Sequence, residues 1–316
     1  MRIVVFGTGP FCVPTMQSLA NSENEILCAV TRPIEDAGKR RKTAANPVRE
    51  SAEKLGLEVL DPQSCNEADF VQLLKSKQAD LFFVCDYGQI LSKACLSAAR
   101  LGGINLHGSL LPKYRGAAPV QWAIYNGDQK SGVTVIHMTP RLDAGPNLAQ
   151  LETEILDSEN SDQLESRLSE IGVDAVHKAI SLLANWDGES AIGSIQDSKK
   201  ATKAPRINKS DGKIDWNRSA KQIVDQIRAF TPWPTSFCTW SHGKQPLRLI
   251  VHQATTMQIE TDAPPGTVIA IDKKLLAIQT AEDALVIQQL QPAGKKSMPV
   301  TDFLRGSKIA VGQLMD

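Results

Sequence analysis

Asn105 and His107 stand two positions apart in the run INLHGSLLPKYRGAAP, residues 104–119. Side chains two positions apart in an extended strand point to the same side, so the amide and the imidazole are expected to face one space. Prolines, glycines and a hydroxyl follow at once, and neither a packed strand nor a helix has a use for that mixture. The composition therefore predicts a strand that ends in a functional loop.

Asp143 offers a carboxylate for the same site. It lies in the segment TPRLDAG, directly after the apolar, strand-like run GVTVIHM. Ligands in open α/β sheets bind at the carboxyl ends of the strands, so Asn105, His107 and Asp143 are predicted to converge from two neighbouring strand ends. Each residue alone is more typical of a turn or a structural contact, and only the combination predicts catalysis.

Together an amide, an imidazole and a carboxylate suit acyl transfer to an amine. We expect Asn105 to donate a hydrogen bond to the oxyanion of a tetrahedral intermediate. His107 would stabilise that oxyanion or shuttle protons, while Asp143 would orient the imidazole and draw the proton off the attacking nitrogen, directly or through water. Ser109 lies in no nucleophile elbow, which favours direct attack by the substrate. No second His or Cys has ligand spacing with His107, so no metal is predicted.

Strand-like and helix-like segments alternate over the first half of the chain, and they must position these side chains. The strand-like segments are near-continuous apolar runs, such as DLFFVCD at residues 80–86. This pattern is typical of a parallel sheet that is covered by helices on both faces. We predict a Rossmann-like α/β catalytic domain over residues 1–185, with a mostly parallel sheet. One of its helices is expected to have Asn46 as its N-cap and Pro47 in its first position.

The composition changes after Trp186. Residues 186–206 are polar and lack periodicity, which predicts a linker. Beyond it, Ser219 and Gln222 form a capping-box pattern at the start of a helix, and five or six short strand-like segments follow. We predict that residues 207–316 form a small OB-like β-barrel domain.

Composition sets further bounds. At 316 residues the chain is long enough for two domains, and a formal net charge of +0 argues against a uniformly basic nucleic-acid binder. Its six cysteines show no CxxC spacing, which favours buried free thiols in a reducing cytoplasm. The sequence begins with strand-like residues rather than a signal peptide, and no apolar run approaches the ~18 residues that a membrane span needs. We therefore expect a cytoplasmic protein, and a monomer, since no coiled coil or apolar surface stripe stands out.

The loop Gly7-Thr8-Gly9 after the first strand invites a dinucleotide-binding interpretation. That signature needs a glycine or alanine at position 12 and an acid at the end of the second strand, where this chain has Cys12 and Thr31-Arg32. Nicotinamide binding is therefore disfavoured. We expect the loop to turn tightly beside a ligand that another strand end also contacts.

Several motifs resemble the 10-formyltetrahydrofolate-dependent formyltransferase family. They are NLHGSLLPKYRGAAP followed by LDAG, and VCDYGQIL, which resembles the family's folate-pocket strand and loop. RAFTPWPTSF and LQPAGKKSM resemble the carboxyl-terminal part of the members that act on charged tRNA. The resemblance covers nearly the whole chain. It implies transfer of the formyl group of 10-formyltetrahydrofolate to the α-amine of methionyl-initiator tRNA, in translation initiation.

The resemblance also implies roles for individual residues. Asn105, His107 and Asp143 take the catalytic positions. A flat pterin needs apolar walls plus backbone polar groups, which a Leu-Leu-Pro run supplies. The tetrahydrofolate site is implied to be lined by Ser109, Leu110, Leu111, Pro112, Tyr87, Gly88, Gln89 and Ile90.

Basic segments are implied to contact the tRNA. The run RPIEDAGKRRKTAANP resembles the family segment that enters the acceptor stem, where basic side chains would neutralise phosphates. Trp216, Trp233 and Trp240 are candidate stacking surfaces for bases, although core packing is favoured for Trp233, between its two prolines. The predicted tRNA contacts are Lys39, Arg40, Arg41, Lys42, Lys203, Arg206, Lys295 and Lys296.

The chain departs from the family pattern at three places. Asp86 stands where the family usually has a small residue, and Pro146 where it often has an acid. The first loop has Thr-Gly-Pro-Phe at residues 8–11, where many members have Thr-Pro-Asp-Phe. None of these changes removes a catalytic group, but Asp86 is expected to alter the electrostatics of the donor pocket.

Two other activities would use the same chemistry. An amino-sugar nucleotide could be the acceptor, although the AGKRRK and PAGKK segments argue against it. Alternatively, the trio could direct water onto the donor and release formate, as a hydrolase would. A pure RNA-binding role leaves Asn105, His107 and Asp143 unexplained.

Overall fold

The structure is a computed structural model that describes residues 1–33, 46–242, 245–272 and 274–316. These residues divide into two compact units. The first comprises Met1–Pro119, Lys130–Glu154 and Leu164–Pro205, and the second comprises Val120–Gln129, Ile155–Gln163 and Arg206–Asp316. Within the described ranges, no helix combines the length and the hydropathy needed to cross a membrane.

The first unit is built on strands β1 to β9. Their bounds are β1 (Arg2–Gly7), β2 (Glu25–Val30), β3 (Val59–Leu60), β4 (Leu81–Cys85), β5 (Gly103–His107), β6 (Arg115–Gly116), β7 (Lys130–His137), β8 (Asn147–Glu154) and β9 (Lys203–Ala204). Seven of them form one sheet in the order β3-β2-β1-β4-β5-β7-β8. Strands β1 to β5 pair in parallel, and β7 and β8 are antiparallel. The predicted α/β class with a mostly parallel sheet is confirmed.

Helices follow most of these strands. They are α1 (Val13–Ala20), α2 (Pro47–Lys54), α3 (Ala68–Ser76), α4 (Lys93–Leu96), α5 (Pro119–Tyr125) and α6 (Ser161–Ala184). The predicted start of α2 is confirmed, because the Asn46 side chain accepts a hydrogen bond from the Arg49 backbone N–H and Pro47 is the first helical residue. Pro47 fits there since the first helical N–H has no partner within the helix.

The central strands β1 and β4 form the core of the first unit. Every residue of β4 is buried, and Ile3 to Phe6 of β1 are fully buried. Strands buried on both faces need continuous apolar sequence, which explains why these segments lack the alternation of a half-exposed strand. The core therefore fixes the carboxyl ends of β1 and β4, from which the site loops begin.

The direction of β7 corrects one prediction. It runs antiparallel to β5, with His107 opposite Thr134 and Ile104 opposite His137. The carboxyl end of β7 therefore lies beside the start of β5, so the prediction that Asp143 extends from a neighbouring carboxyl end is wrong. The loop of residues 138–146 instead connects β7 to its antiparallel partner β8 and brings Asp143 back to His107. An apolar run carries no information about strand direction, and so the sequence did not reveal this.

The second unit is an antiparallel sheet with helices α7 and α8. Its elements are α7 (Ala220–Ala229), β10 (Ser236–His242), β11 (Gln245–Met257), β12 (Val268–Ile271), β13 (Leu276–Gln279), β14 (Ala284–Pro292), β15 (Met298–Pro299) and α8 (Val300–Gly306). The main order is β10-β11-β14-β13-β12. The chain end bridges both edges of this path, through Trp240 with Met315 and Thr267 with Leu314. The predicted small barrel and the Ser219–Gln222 capping box are confirmed.

The burial of the tryptophans in this unit is the reverse of what the sequence led us to expect. Trp216 and Trp240 are buried in the barrel core, and Trp240 Nε1 donates a hydrogen bond to Gln313. They are therefore not stacking surfaces. Trp233 is 51% exposed, so the expectation of core packing is wrong there. Burial of an aromatic residue depends on which barrel face it occupies, which a short irregular segment such as TPWPT does not show.

Candidate active site

A backbone carbonyl fixes the orientation of the His107 ring at the end of β5. Nε2 of His107 lies 2.9 Å from the carbonyl oxygen of Tyr114. Because a carbonyl oxygen only accepts hydrogen bonds, Nε2 must carry the proton. Nδ1 is therefore the ring nitrogen that can take up or release a proton at the site.

Asp143 faces that nitrogen. Its Oδ2 is 3.8 Å from Nδ1 of His107, which is too long for a direct hydrogen bond. The same oxygen accepts a hydrogen bond from the Gly116 backbone N–H at 2.8 Å. Tyr114 rather than Asp143 thus orients the imidazole. Nδ1 and the carboxylate are neighbouring acceptors, and an N–H or O–H donor placed beside both can bind to either.

Asn105 lies two residues before His107 on the same strand. Its Nδ2 donates a hydrogen bond to the carbonyl oxygen of Val84, on β4, at 3.1 Å. A side-chain amide has two N–H donors, so this bond holds the amide and leaves one donor for a ligand. The structure therefore brings His107 and Asp143 together and places Asn105 on the strand that carries His107.

Polar contacts hold the loop after β5 in place. Ser109 is buried, and its hydroxyl donates to the Lys113 carbonyl oxygen at 2.7 Å. The Leu111 N–H donates to Thr134 Oγ1 at 3.0 Å. Leu111 is buried as well, whereas Leu110 and Pro112 are half-buried. Of the four predicted folate contacts in this loop, Leu110 and Pro112 are the ones whose side chains a ligand can reach.

The loop after β4 likewise contains both buried and accessible residues. Tyr87 is 2% exposed and packs edge-on against Phe6 in the core. The Gln89 side chain is bonded to backbone atoms of Gln63 and Cys65. Ile90 is 66% exposed. Of the predicted folate contacts in this loop, Gly88 and Ile90 are exposed and Gln89 is half-buried, whereas the buried Tyr87 supports the loop.

Gln196 holds the Asp143 loop in place. It lies within the predicted linker, yet it is buried. Its Nε2 donates to the carbonyl oxygens of Asp143, at 3.0 Å, and Gly145, at 2.8 Å. Its Oε1 accepts from Nη2 of Arg115 at 2.6 Å. One amide therefore ties the loop that carries Asp143 to the loop that follows Tyr114.

The end of the same segment holds the Tyr114 loop. The Tyr114 N–H donates to Thr202 Oγ1 at 2.8 Å, and β9 pairs with β6 in parallel. A Cβ at Gly116 would lie 2.4 Å from the Ala204 carbonyl oxygen, so only glycine permits this approach. Tyr114 and Asp143 have φ of 63° and 48°, a region that residues other than glycine seldom adopt. Contacts from residues 196–204 stabilise both, and no periodicity in the sequence marks such long-range pairing.

His137, the last residue of β7, is not part of the trio. His137 is structural, since its Nε2 is bonded to the Leu101 carbonyl oxygen at 2.9 Å. The predicted tRNA contacts Lys39, Arg40, Arg41 and Lys42 lie outside the described residues. Exposed positions are occupied by Lys203 in β9 and by Arg206, Lys295 and Lys296 in the second unit.

Asp86 follows β4 and has unusual electrostatics. Its side chain is exposed to solvent, yet surrounding protein desolvates it enough to raise the pKa of the carboxyl from 3.8 to about 6. A group that is both accessible and desolvated lines a crevice. Among the residues that the structure describes, none forms a hydrogen bond or an ion pair with this carboxylate. Asp86 thus carries a charge that its surroundings disfavour.

The fold and this loop arrangement define a formyl transferase. The chain belongs to the formyl transferase family, since the family's pattern, "Formyl transferase", matches residues 1–180 and its "C-terminal domain" matches residues 206–308.

Relatives with the same layout bear a more particular name. Methionyl-tRNA formyltransferase of Rhodopirellula baltica is 45% identical, over 99% of this chain and 96% of that protein. Methionyl-tRNA formyltransferase of Hydrogenovibrio crunogenus is 37% identical, over 98% of this chain and 97% of that protein. The crystal structure of WlaRD, a sugar 3N-formyl transferase, superimposes with a TM-score of 0.65 over 94% of this chain and 99% of that one. Its identity is 17%, so this likeness concerns the fold.

The Gln196 contacts predict a loss of turnover on substitution. Gln196→Leu is expected to lower kcat of formyl transfer about 10- to 100-fold, because the loop that carries Asp143 loses its hydrogen bonds and shifts. The Michaelis constants should change much less. Steady-state kinetics checks this, with Ile195→Ser as the matched control, since the neighbouring Ile195 is 93% exposed. Equal turnover in the two variants, at unchanged thermal midpoints, would contradict the positioning role.

The raised pKa of Asp86 predicts a pH-dependent stability. Because the ionised carboxylate is disfavoured in the folded chain, it destabilises the fold progressively as the pH rises from 3.8 to about 6. Asp86→Asn should therefore be more stable than the parent at about pH 8, and this difference should shrink at about pH 4. Urea unfolding at the two pH values measures it. Asp69→Asn, an exposed acid of α3, controls for the change in net charge.

Proposed function

We propose that this chain transfers the formyl group of 10-formyltetrahydrofolate to the free α-amino group of methionyl-initiator tRNA. The product is N-formylmethionyl-tRNA, which serves translation initiation. The observation that carries the chemistry is the distance of 3.8 Å between Nδ1 of His107 and Oδ2 of Asp143. His107 lies on β5, the strand that also presents Asn105. Similarity along the whole chain to relatives named methionyl-tRNA formyltransferase supports the acceptor.

Asn105 stabilises developing negative charge. When an amine attacks a formyl carbonyl, the carbonyl oxygen becomes an oxyanion. The second N–H of the Asn105 amide is the donor for it, since the first is committed to the Val84 carbonyl. A donor that is already oriented needs no reorganisation as the charge appears, which is the condition for a large contribution to the rate.

His107 and Asp143 accept the proton that the attacking nitrogen must lose. Nε2 keeps its own proton on the Tyr114 carbonyl, so Nδ1 is the base. The Asp143 carboxylate, 3.8 Å away, stabilises the imidazolium that results. The Gly116 N–H holds that carboxylate in place.

Direct attack by the amine is favoured over a covalent enzyme intermediate. Ser109, the hydroxyl nearest to His107 in sequence, is 1% exposed and donates to the Lys113 carbonyl. A nucleophilic serine needs an exposed hydroxyl with an adjacent base, and neither condition holds here.

The donor fits the loops that flank the trio. 10-Formyltetrahydrofolate supplies the one-carbon acyl group. Leu110, Pro112 and Ile90 would offer apolar contacts to its flat ring, and Leu142, 61% exposed beside Asp143, would add another. Buried Ser109, Leu111 and Tyr87 would hold the two loops rather than touch the ligand, and the half-buried Gln89 is bonded to the backbone of Gln63 and Cys65. Large exposed apolar side chains beside a polar cluster are typical of a ligand site.

Basic side chains supply the tRNA contacts in this proposal. Lys203, Arg206, Lys295 and Lys296 are exposed and available to phosphates, and Lys39 to Lys42 belong to the same proposal from the sequence. The free, buried state of all six cysteines suits a reducing cytoplasm, where we place the protein, as a monomer.

A labelled formyl-transfer assay tests the activity. With 10-formyltetrahydrofolate as donor, label should pass to methionyl-initiator tRNA and not to free methionine or an amino-sugar nucleotide. Transfer to the amino sugar alone, or formate release that does not depend on any acceptor, would contradict the proposal.

Substitutions in the trio test the mechanism. Asn105→Ala should lower kcat by about 10²- to 10³-fold through loss of the oxyanion donor. His107→Ala should lower it by about 10²- to 10⁴-fold through loss of the base. Binding of tRNA should persist in both. His137→Gln is the matched control, because this histidine bonds only structurally and should retain activity; normal turnover by either trio variant would exclude the assigned roles.

Charge neutralisation tests the tRNA contacts. Replacing Lys295 and Lys296 with glutamine should weaken tRNA binding and flatten its salt dependence, by about one unit of log–log slope for each phosphate that the protein no longer neutralises. Neutralising Lys39 to Lys42 should act in the same direction. Lys54→Gln with Lys75→Gln, exposed lysines of α2 and α3, matches the double charge change. An equal effect of this control pair would show that only net charge matters.

A further inference from the structure

The crevice between β1 and β4 contains a charged side chain, Asp86, that the mechanism above does not use. The sheet order reverses there, since β2 and β3 lie on one side of β1 and β4 and β5 on the other. Ligands in open α/β sheets bind at such a switch point, outside the carboxyl ends of the strands. Gly7 pairs with Cys85 at this end, so Gly9 and Asp86 follow directly on either side of the crevice.

Gly9 makes room for the Asp86 carboxylate. A Cβ at Gly9 would lie 1.7 Å from Oδ2 of Asp86, so a side chain at position 9 would force the carboxylate to move. The φ of Gly9 is −86°, which any residue adopts, so its backbone conformation does not require glycine. The space that the carboxylate occupies is the physical reason for glycine at this position.

These two residues are also two of the departures from the family pattern. Where that pattern has Pro-Asp in the first loop, this chain has Gly9-Pro10, and where it has a small residue after β4, this chain has Asp86. The chain therefore lacks an acid in the first loop and has one on the neighbouring strand end. Gly9 and the Asp86 carboxylate fit each other sterically.

No structural role accounts for this carboxylate. Asp86 is in the left-handed region with φ of 51°, and no described residue pairs with it. An accessible and desolvated charge that has no partner within the described part of the chain lowers stability there, so a structural role among those residues gives no reason for it. Such a group suits a cationic ligand that brings the missing partner.

The charge of the carboxylate indicates which substrate it can meet. Asp86 is two residues beyond Val84, whose carbonyl holds Asn105, and so it lies within about 7 Å of chain from that anchor of the trio. Its oxygen points to the β1 loop at Gly9, and Thr8 of that loop donates a hydrogen bond to the Tyr87 carbonyl oxygen at 3.4 Å. The carboxylate therefore lies beside both loops, and its negative charge favours the substrate group that is a cation.

We propose that Asp86 binds the cationic α-amino group of the incoming aminoacyl acceptor and positions it at the site, where the group releases one proton to solvent and then attacks as the neutral amine. This rests on the proposed function, because the acceptor amine is the cation that must approach the trio. Arg32, which packs over Gly88 at the same crevice, would meet the phosphate of the acceptor's 3′ end. Opposite charges at one crevice match a substrate end that carries both a phosphate and an ammonium group.

Binding measurements with three tRNA forms test this positioning role. Asp86→Asn should raise the Kd and the KM of methionyl-initiator tRNA about tenfold, because one charge-assisted hydrogen bond is lost. Affinity for uncharged tRNA and for N-formylmethionyl-tRNA should stay unchanged or increase, since neither has the ammonium group. KM for 10-formyltetrahydrofolate and kcat at saturating acceptor should stay within about twofold. Asp69→Asn is the charge-matched control and should change none of these values.

A second variant tests the geometry while the carboxylate is kept. Gly9→Ala places a methyl group where Oδ2 now lies and should raise the acceptor KM as Asp86→Asn does, at an unchanged donor KM. Three results would overturn the proposal: an equal shift for all three tRNA forms, a rise in donor KM alone, or no change in either variant. A parent enzyme that forms no formylmethionyl-tRNA would instead overturn the proposed function, so the two failures are distinguishable.

Discussion

The hydrogen bond between His107 Nε2 and the Tyr114 carbonyl oxygen determines the chemistry that the rest of the site can perform. It assigns the proton to Nε2 and thereby leaves Nδ1 without one, facing the Asp143 carboxylate, as the proposed base requires. The bond depends on the backbone of Tyr114 staying in a left-handed conformation, which residues 202–204 stabilise through Thr202 and the pairing of β9 with β6. A segment without periodicity thus sets the tautomer of the His107 ring.

The site holds its reactive groups in conformations that an isolated chain would avoid. Tyr114 and Asp143 have positive φ, and Asp86 has positive φ as well as a desolvated charge. Each such feature opposes stability, and the positive φ of Tyr114 and Asp143 is compensated by hydrogen bonds from the Gln196 to Ala204 segment. Asp86 has no such compensation among the described residues. This difference separates groups that the protein itself positions from a group whose partner we infer to be the substrate.

The two loops that we propose to bind the donor, residues 87–90 and 109–112, also contain two kinds of residue: some support the loop and others are accessible to a ligand. Buried members such as Ser109 and Tyr87 anchor the two loops to the core, so that exposed apolar residues such as Ile90 are presented from fixed backbone. A motif can therefore contain both kinds of residue, and motif membership alone does not show which of them a ligand touches. Accessibility decides that question, and accessibility is a property of the packed core.

The sequence by itself determined the class of fold and singled out Asn105, His107 and Asp143. Apolar runs separated by helical segments indicate a parallel sheet because buried strands need continuous apolar sequence, and the N-cap at Asn46 and the capping box at Ser219 follow from local hydrogen bonding. The tertiary structure decided the antiparallel course of β7, the burial of Trp240 and exposure of Trp233, and the role of Gln196. These features depend on contacts between residues far apart in the chain. Local periodicity encodes which face of an element is buried, but it does not encode which distant backbone group that face will meet.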